Sequence, residues 1–179
     1  MNLTYYAGKH VYFRALEKED AATIVAWRND PESWRTLGKM NPLNRIREEE
    51  YIDALYKPGG DIVLGVSLFD GDRFIGMCGL HQIDAIARSA TFGILIGSEQ
   101  DRGHGYGIEA TRLMVQYGFE ELNLNRIELC VFGEHEMGVH VYTQAGFVKE
   151  GVMREAFYRN GKYHDVIHMA ILQREWSPE

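Results

Sequence analysis

Arg102-Gly103-His104-Gly105-Tyr106-Gly107-Ile108-Glu109-Ala110 sets three glycines at alternate positions between a short apolar run, Thr91–Ile96, and an amphipathic segment, Ile108–Leu122. That order spells a strand, a tight turn and a helix start. Such a turn aims successive backbone N–H groups at one spot, and the positive end of the helix adds to them, so an anion is its natural ligand. Glycine is needed where a Cβ would hold a phosphate away from the main chain. Alone the pattern is weakly specific; Val141-Tyr142-Thr143-Gln144-Ala145-Gly146-Phe147 downstream strengthens it.

Outward from the turn, the apolar spacing predicts a strand around His10–Ala15 and a helix from about Lys18 to Asn29, stopped by Pro31. A second helix is expected over Arg47–Tyr56 and is ended by Lys57-Pro58-Gly59-Gly60. Strands Ile62–Phe69 and Arg73–His81 follow, joined through Asp70-Gly71-Asp72, a good hairpin signal between apolar runs. After the strand Ala90–Ile96, the turn and the Ile108–Leu122 helix come a strand at Arg126–Phe132 and a helix from Glu136 to about Ala145, capped by Gly146. A hairpin, Val148–Tyr158 with Tyr163–Leu172, turns at Asn160-Gly161. The expectation is a single-domain α/β fold, residues 1–179, with a mixed, mostly antiparallel sheet flanked by about four helices.

Bulk numbers narrow the function classes. At 179 residues, 45% hydrophobic and 25% charged, the chain suits one soluble domain with a self-sufficient core. A formal charge of −7 argues against a nucleic-acid backbone as partner and leans toward cationic ones. The two cysteines, Cys78 and Cys130, sit in apolar stretches and read as buried thiols in a reducing compartment. Met1–Tyr6 lacks the apolar core of a leader, and no apolar run reaches membrane-spanning length, so a cytoplasmic protein is expected.

These residues resemble the GNAT superfamily of N-acetyltransferases, within it the RimJ/RimL-like branch. The likeness rests on the turn pattern Arg/Gln-x-x-Gly-x-Gly/Ala, which fits from Gln100 or, with Gly107 leading into the helix, from Arg102. It rests also on Tyr142-Thr143-Gln144-Ala145-Gly146-Phe147, Trp27-Arg28-Asn29-Asp30-Pro31, Glu109-Ala110, Gly118-Phe119-Glu120-Glu121-Leu122, Glu150-Gly151 and Gly161-Lys162-Tyr163-His164-Asp165. The resemblance implies acetyl-CoA as donor and a primary amine as acceptor: a polyamine, an aminoglycoside, an amino sugar, or a protein N-terminus such as a ribosomal protein's. It implies that the pantetheine arm lies along Ile94-Leu95-Ile96, with Gly93 marking a bulge or splay. The pyrophosphate then rests on Arg102, Gly103, His104, Gly105, Tyr106 and Gly107. His135 stands seven residues before Tyr142, where relatives often have a coenzyme-binding Asn. Self-association is common among relatives, so a homodimer is compatible with the resemblance.

Acetyl transfer needs a neutral amine, a stabilised thioester oxygen and a proton for the leaving thiolate. The resemblance makes Tyr142 the acid. The superfamily's glutamate base falls here on Cys130, which leaves the base open between Glu109, Glu128, His81 and a water chain. Phe157, Tyr158, Tyr163, Trp27 and Trp34 fall in regions that line the acceptor groove in the superfamily, where rings suit a cation. Glu134-His135-Glu136, His164 and His168 form no metal-ligand pattern. A non-catalytic acyl-CoA-binding sensor is the alternative that Cys130 and His135 keep open. A dinucleotide-binding oxidoreductase is excluded, since its glycine turn follows a first parallel strand.

Overall fold

The computed structural model describes residues 6–38 and 41–177; all but Tyr6 of the N-terminal stretch read above lies outside them. One eight-stranded sheet runs in the order β1-β2-β3-β4-β5-β6-β8-β7. Its strands are β1 (Tyr6–Ala7), β2 (Val11–Arg14), β3 (Ile62–Leu68), β4 (Phe74–Asp84), β5 (Ser89–Ile96), β6 (Arg126–Phe132), β7 (Val148–Arg159) and β8 (Lys162–Leu172). Every neighbouring pair is antiparallel except β5 with β6. Among the described residues five α-helices cover it: α1 (Ala21–Asn29), α2 (Pro31–Thr36), α3 (Arg45–Leu55), α4 (Tyr106–Glu120) and α5 (Glu136–Gln144).

The sheet alternates its side chains between two cores. Leu80, Ala90, Phe92, Ile127 and Leu129 pack with Ala110, Met114 and Val115 of α4 and with Phe147. A smaller cluster, Leu16, Ala21, Ile24, Ile52 and Val63, holds α1 and α3 on the other face. Helices on both faces of one sheet leave the central strands reachable only where the sheet itself opens.

Several elements differ from the sequence expectation, each for a local reason. The first helix opens as a 3-10 turn, Lys18–Asp20, before α1. Pro31 ends α1 and also begins α2, whose Asp30 carboxylate caps the amides of Glu32 and Ser33. Proline at a first helical position costs no hydrogen bond, so the stop signal is equally a start signal. Asn44 caps α3 at Arg47 N (2.9 Å), which starts that helix at Arg45. β4 continues past His81 to Asp84, with a register shift between them, so His81 is not a strand-end residue. At the last hairpin Asn160 and Gly161 both take positive φ, +50° and +77°, as a tight two-residue turn requires.

Candidate active site

β5 and β6 pair only over Ser89↔Arg126, Ala90↔Ile127 and Thr91↔Glu128. Beyond Thr91 they part, next to Gly93, where the sequence suggested a splay. The separation opens a cavity of about 410 Å³ bounded by Ile94, Leu95 and Ile96 of β5, Cys130 and Val131 of β6, and His135, Gly138, Val141 and Tyr142 around α5. Arg102, Gly103, Gly105 and Gly107 close its end. The edge of β5 beyond Thr91 lacks a partner strand on that side, so its backbone can pair with an extended ligand segment.

The glycine turn is built by its anchors. Asp101, 3% exposed, holds Arg73 at 2.7 Å. Arg102 donates back to the carbonyls of Ile96 (3.2 Å) and Gly97 (2.9 Å) and to Ser33 Oγ of α2 (3.4 Å). Gly105 caps α4 at φ +84°, a conformation that costs any other L-residue roughly 1–2 kcal/mol. The helix therefore starts at Tyr106, two residues earlier than expected, with Gly107 inside its first turn. The first amides of a helix have no acceptor within it, and Gly105 and Gly107 line the cavity end. His104 and Tyr106 do not line the cavity; their rings stack on one another at 5.6 Å.

On the opposite wall, the His135 imidazole lies over Gly138, where a Cβ would collide with it. Burial and then the nearby Arg102 charge lower the His135 pKa, which keeps the ring neutral. Tyr142 packs edge-on against Phe92 at 6.1 Å and against Phe147 at 6.1 Å. Burial pushes its phenol up to about 12, with no hydrogen bond or charge acting against it.

Residues 10–148 match the family described as "Acetyltransferase (GNAT) domain". The chain belongs to the GNAT acetyltransferase family. It is 38% identical to the "Putative ribosomal N-acetyltransferase YdaF" of Bacillus subtilis, over 98% of both chains. The spermidine N(1)-acetyltransferase of Escherichia coli is 36% identical over 62% of this chain and 58% of its own. A crystal structure of spermidine N-acetyltransferase from Vibrio cholerae in complex with CoA and spermine superposes with a TM-score of 0.85 at 31% identity, covering 92% of this chain and 96% of that one. The protein is an N-acetyltransferase that moves acetyl from acetyl-CoA to an amine. The likeness places it among enzymes and sets aside the non-catalytic sensor.

The base candidates of this acetyltransferase are dispersed. Glu109 accepts the amides of His10 (2.7 Å) and Val11 (3.1 Å) and pairs with the His10 ring (2.9 Å), tying α4 to β2. Glu128 is held by Arg126 at 2.8 Å, and Arg126 in turn grips Glu150 at 2.6 Å. Cys130 is exposed, contrary to the buried thiol expected, because β6 is flanked there by β8 alone once β5 has turned away; Cys78 is buried. His81 is paired with Asp61 at 2.7 Å.

A second cavity, about 430 Å³, lies between α1, α2 and α3, lined by Arg28, Trp34, Leu37, Arg47, Glu48 and Tyr51 among others. Leu37 lines both this cavity and the one between β5 and β6. Glu48 is fully buried and paired with Arg28 at 3.1 Å. No sequence motif announced Glu48 or Tyr51; their helical spacing from Ile52 marked only an amphipathic helix. Of the expected groove aromatics, Trp34 lines this cavity, and Trp27 packs on Gly97 and on Phe74 at 4.9 Å. Phe157 stacks under Arg159, while Tyr158 and Tyr163 pair edge-on across the last hairpin.

Proposed function

We propose that the enzyme acetylates the N-terminal amine of a peptide or protein, with Tyr142 as the acid. Acetyl-CoA lies in the β5–β6 cavity. Its pantetheine arm pairs with the free edge of Ile94–Ile96, and its pyrophosphate meets the amides from Gly103 to Gly107. His135 stands where relatives use an asparagine, and a neutral imidazole can donate the same kind of hydrogen bond. The thioester carbonyl is polarised by β5 backbone N–H groups, and Tyr142 protonates the departing sulfur.

The observation that carries the acceptor class is the charge lining the second cavity. Arg28 and Arg47 line it with one carboxylate, Glu48, which is already paired with Arg28. A polycation entering there meets surplus positive charge, despite the chain's overall −7. A peptide brings one amine and a row of carbonyls, which arginine donors and the Trp34 and Tyr51 rings can hold.

Coenzyme A release should be followed with two acceptor panels, short peptides with free N-termini and polyamines, against an enzyme-only blank for the exposed Cys130 thiol. Higher kcat/KM for the peptides is expected. Turnover of polyamines alone would overturn the peptide reading.

A further inference from the structure

His81 and Asp61 form a pair that the site as described so far leaves unused. Asp61, just ahead of β3, takes the His81 Nδ1 proton at 2.7 Å through Oδ2 and the Gln82 amide at 3.1 Å through Oδ1. Gln82 is held at φ +51°, inside the register shift between His81 and Asp84, and its Oε1 accepts from Thr91 Oγ1 at 3.3 Å. A bulge of this kind re-aims the side chain beside it, and the bent backbone is kept in place by the contacts it makes. With Nδ1 committed, Nε2 is the nitrogen left to act. It points at Gly93, 3.3 Å from where a Cβ would be.

Gly93 lies two residues past the last β5–β6 pair and directly before Ile94, the first β5 residue to bound the cavity. Strand alternation puts His81, which pairs with Thr91, and Gly93 on the face opposite Phe92. Tyr142 packs against Phe92. The phenol and the imidazole thus flank one strand from opposite faces, at the level where the strands part. The His81 face also carries the acceptor cavity: Tyr51 lines it, and the Asp61 charge reaches the Tyr51 phenol, whose pKa burial and then that charge raise to about 12.

We propose that His81 Nε2 is the general base that takes the proton from the acceptor ammonium, with Asp61 as its positioning residue. The assignment rests on the acetyl-transfer site described above. The ammonium gives one proton to Nε2 and becomes a neutral amine. Its nitrogen attacks the thioester carbon; an N–C bond forms and the carbonyl electrons move to oxygen. On collapse the C–S bond breaks, Tyr142 protonates the thiolate, and the proton shed by the new amide nitrogen restores the phenol. His81, one-third exposed, returns its proton to solvent, the single net proton of the reaction. The other carboxylates are occupied elsewhere, Glu109 by β2 and Glu128 by Arg126.

The test uses the full chain, the His81→Gln and Asp61→Asn variants, and two versions of whichever acceptor turns over. One carries its ordinary amine; the other carries an aminooxy group, which is neutral at assay pH. H81Q should lower kcat/KM several-fold or more on the amine, most at pH below the amine's pKa, and far less on the aminooxy acceptor, with acetyl-CoA affinity unchanged. D61N should show the same selectivity at smaller size, through kcat more than KM. Added imidazole should restore part of the activity of His81→Ala, which keeps the test open should H81Q fold poorly. Equal losses on both acceptors, or no loss on the amine, would overturn the assignment. Because the base is measured on any acceptor that reacts, turnover of polyamines alone overturns the peptide reading without touching His81.

Discussion

Tyr142 and Cys130 sit in the same cavity wall with opposite fates. The Tyr142 phenol, raised to about 12 by burial, keeps its proton throughout the neutral range, as the acid role proposed for it requires. Replacing it with Phe should cut kcat by roughly 10²–10⁴-fold, a usual cost of losing an acid–base group, while calorimetry finds acetyl-CoA affinity little changed. Cys130 is exposed, and burial of part of its surface, then the Glu128 charge, raises its thiol pKa. A maleimide should therefore label Cys130 slowly and spare the buried Cys78 in the folded enzyme, as intact mass would report. Coenzyme A should slow that labelling further, because Cys130 lines the cavity proposed to hold it. The sequence marked Tyr142 by a motif, but its apolar setting for Cys130 was misleading, since burial of a strand residue depends on the strand beside it.

At the scale of elements, the junction of β2 with α4 is sensitive to acid. Burial alone would raise the Glu109 carboxyl, but the His10 and Val11 amides and the His10 ring outweigh it and lower the pKa. A carboxylate depressed on folding contributes stability above its unfolded value, near ~4.3, and loses it as pH falls through the folded value. Glu109→Gln should accordingly lower Tm by several degrees at pH 6, from roughly 1–3 kcal/mol of lost hydrogen bonding. The gap to wild type should close as Tm is measured toward pH 3. Sequence reading left Glu109 among the bases; its partners, His10 and Val11, lie about a hundred residues away at the start of β2. The short helix α2 was missed for a local reason: Pro31 was read only as an end, although Asp30 before it is a cap.

For the whole molecule, the decisive event is the parting of two neighbouring strands in one sheet. It leaves backbone hydrogen bonds of β5 open for a ligand to complete, so binding should stabilise the fold by mass action. Acetyl-CoA at a hundred times its Kd adds about 2.7 kcal/mol, which is roughly 5–10 °C in Tm for a chain of this size. Differential scanning calorimetry with and without the coenzyme checks it. Absence of a shift would mean that the cavity does not take the cofactor in this form.

Periodicity, turn residues and two motifs were enough in the sequence to place the strands, the glycine turn and most helices, because those features depend on residues close along the chain. The pairing of His81 with Asp61, the joining of Glu48 to Arg28, the exposure of Cys130 and the local positive charge of the second cavity came only with the tertiary structure. Each depends on sheet register or helix packing between segments that local patterns cannot align. Net charge is a sum over the chain, whereas a substrate meets only the few charges that folding gathers around it.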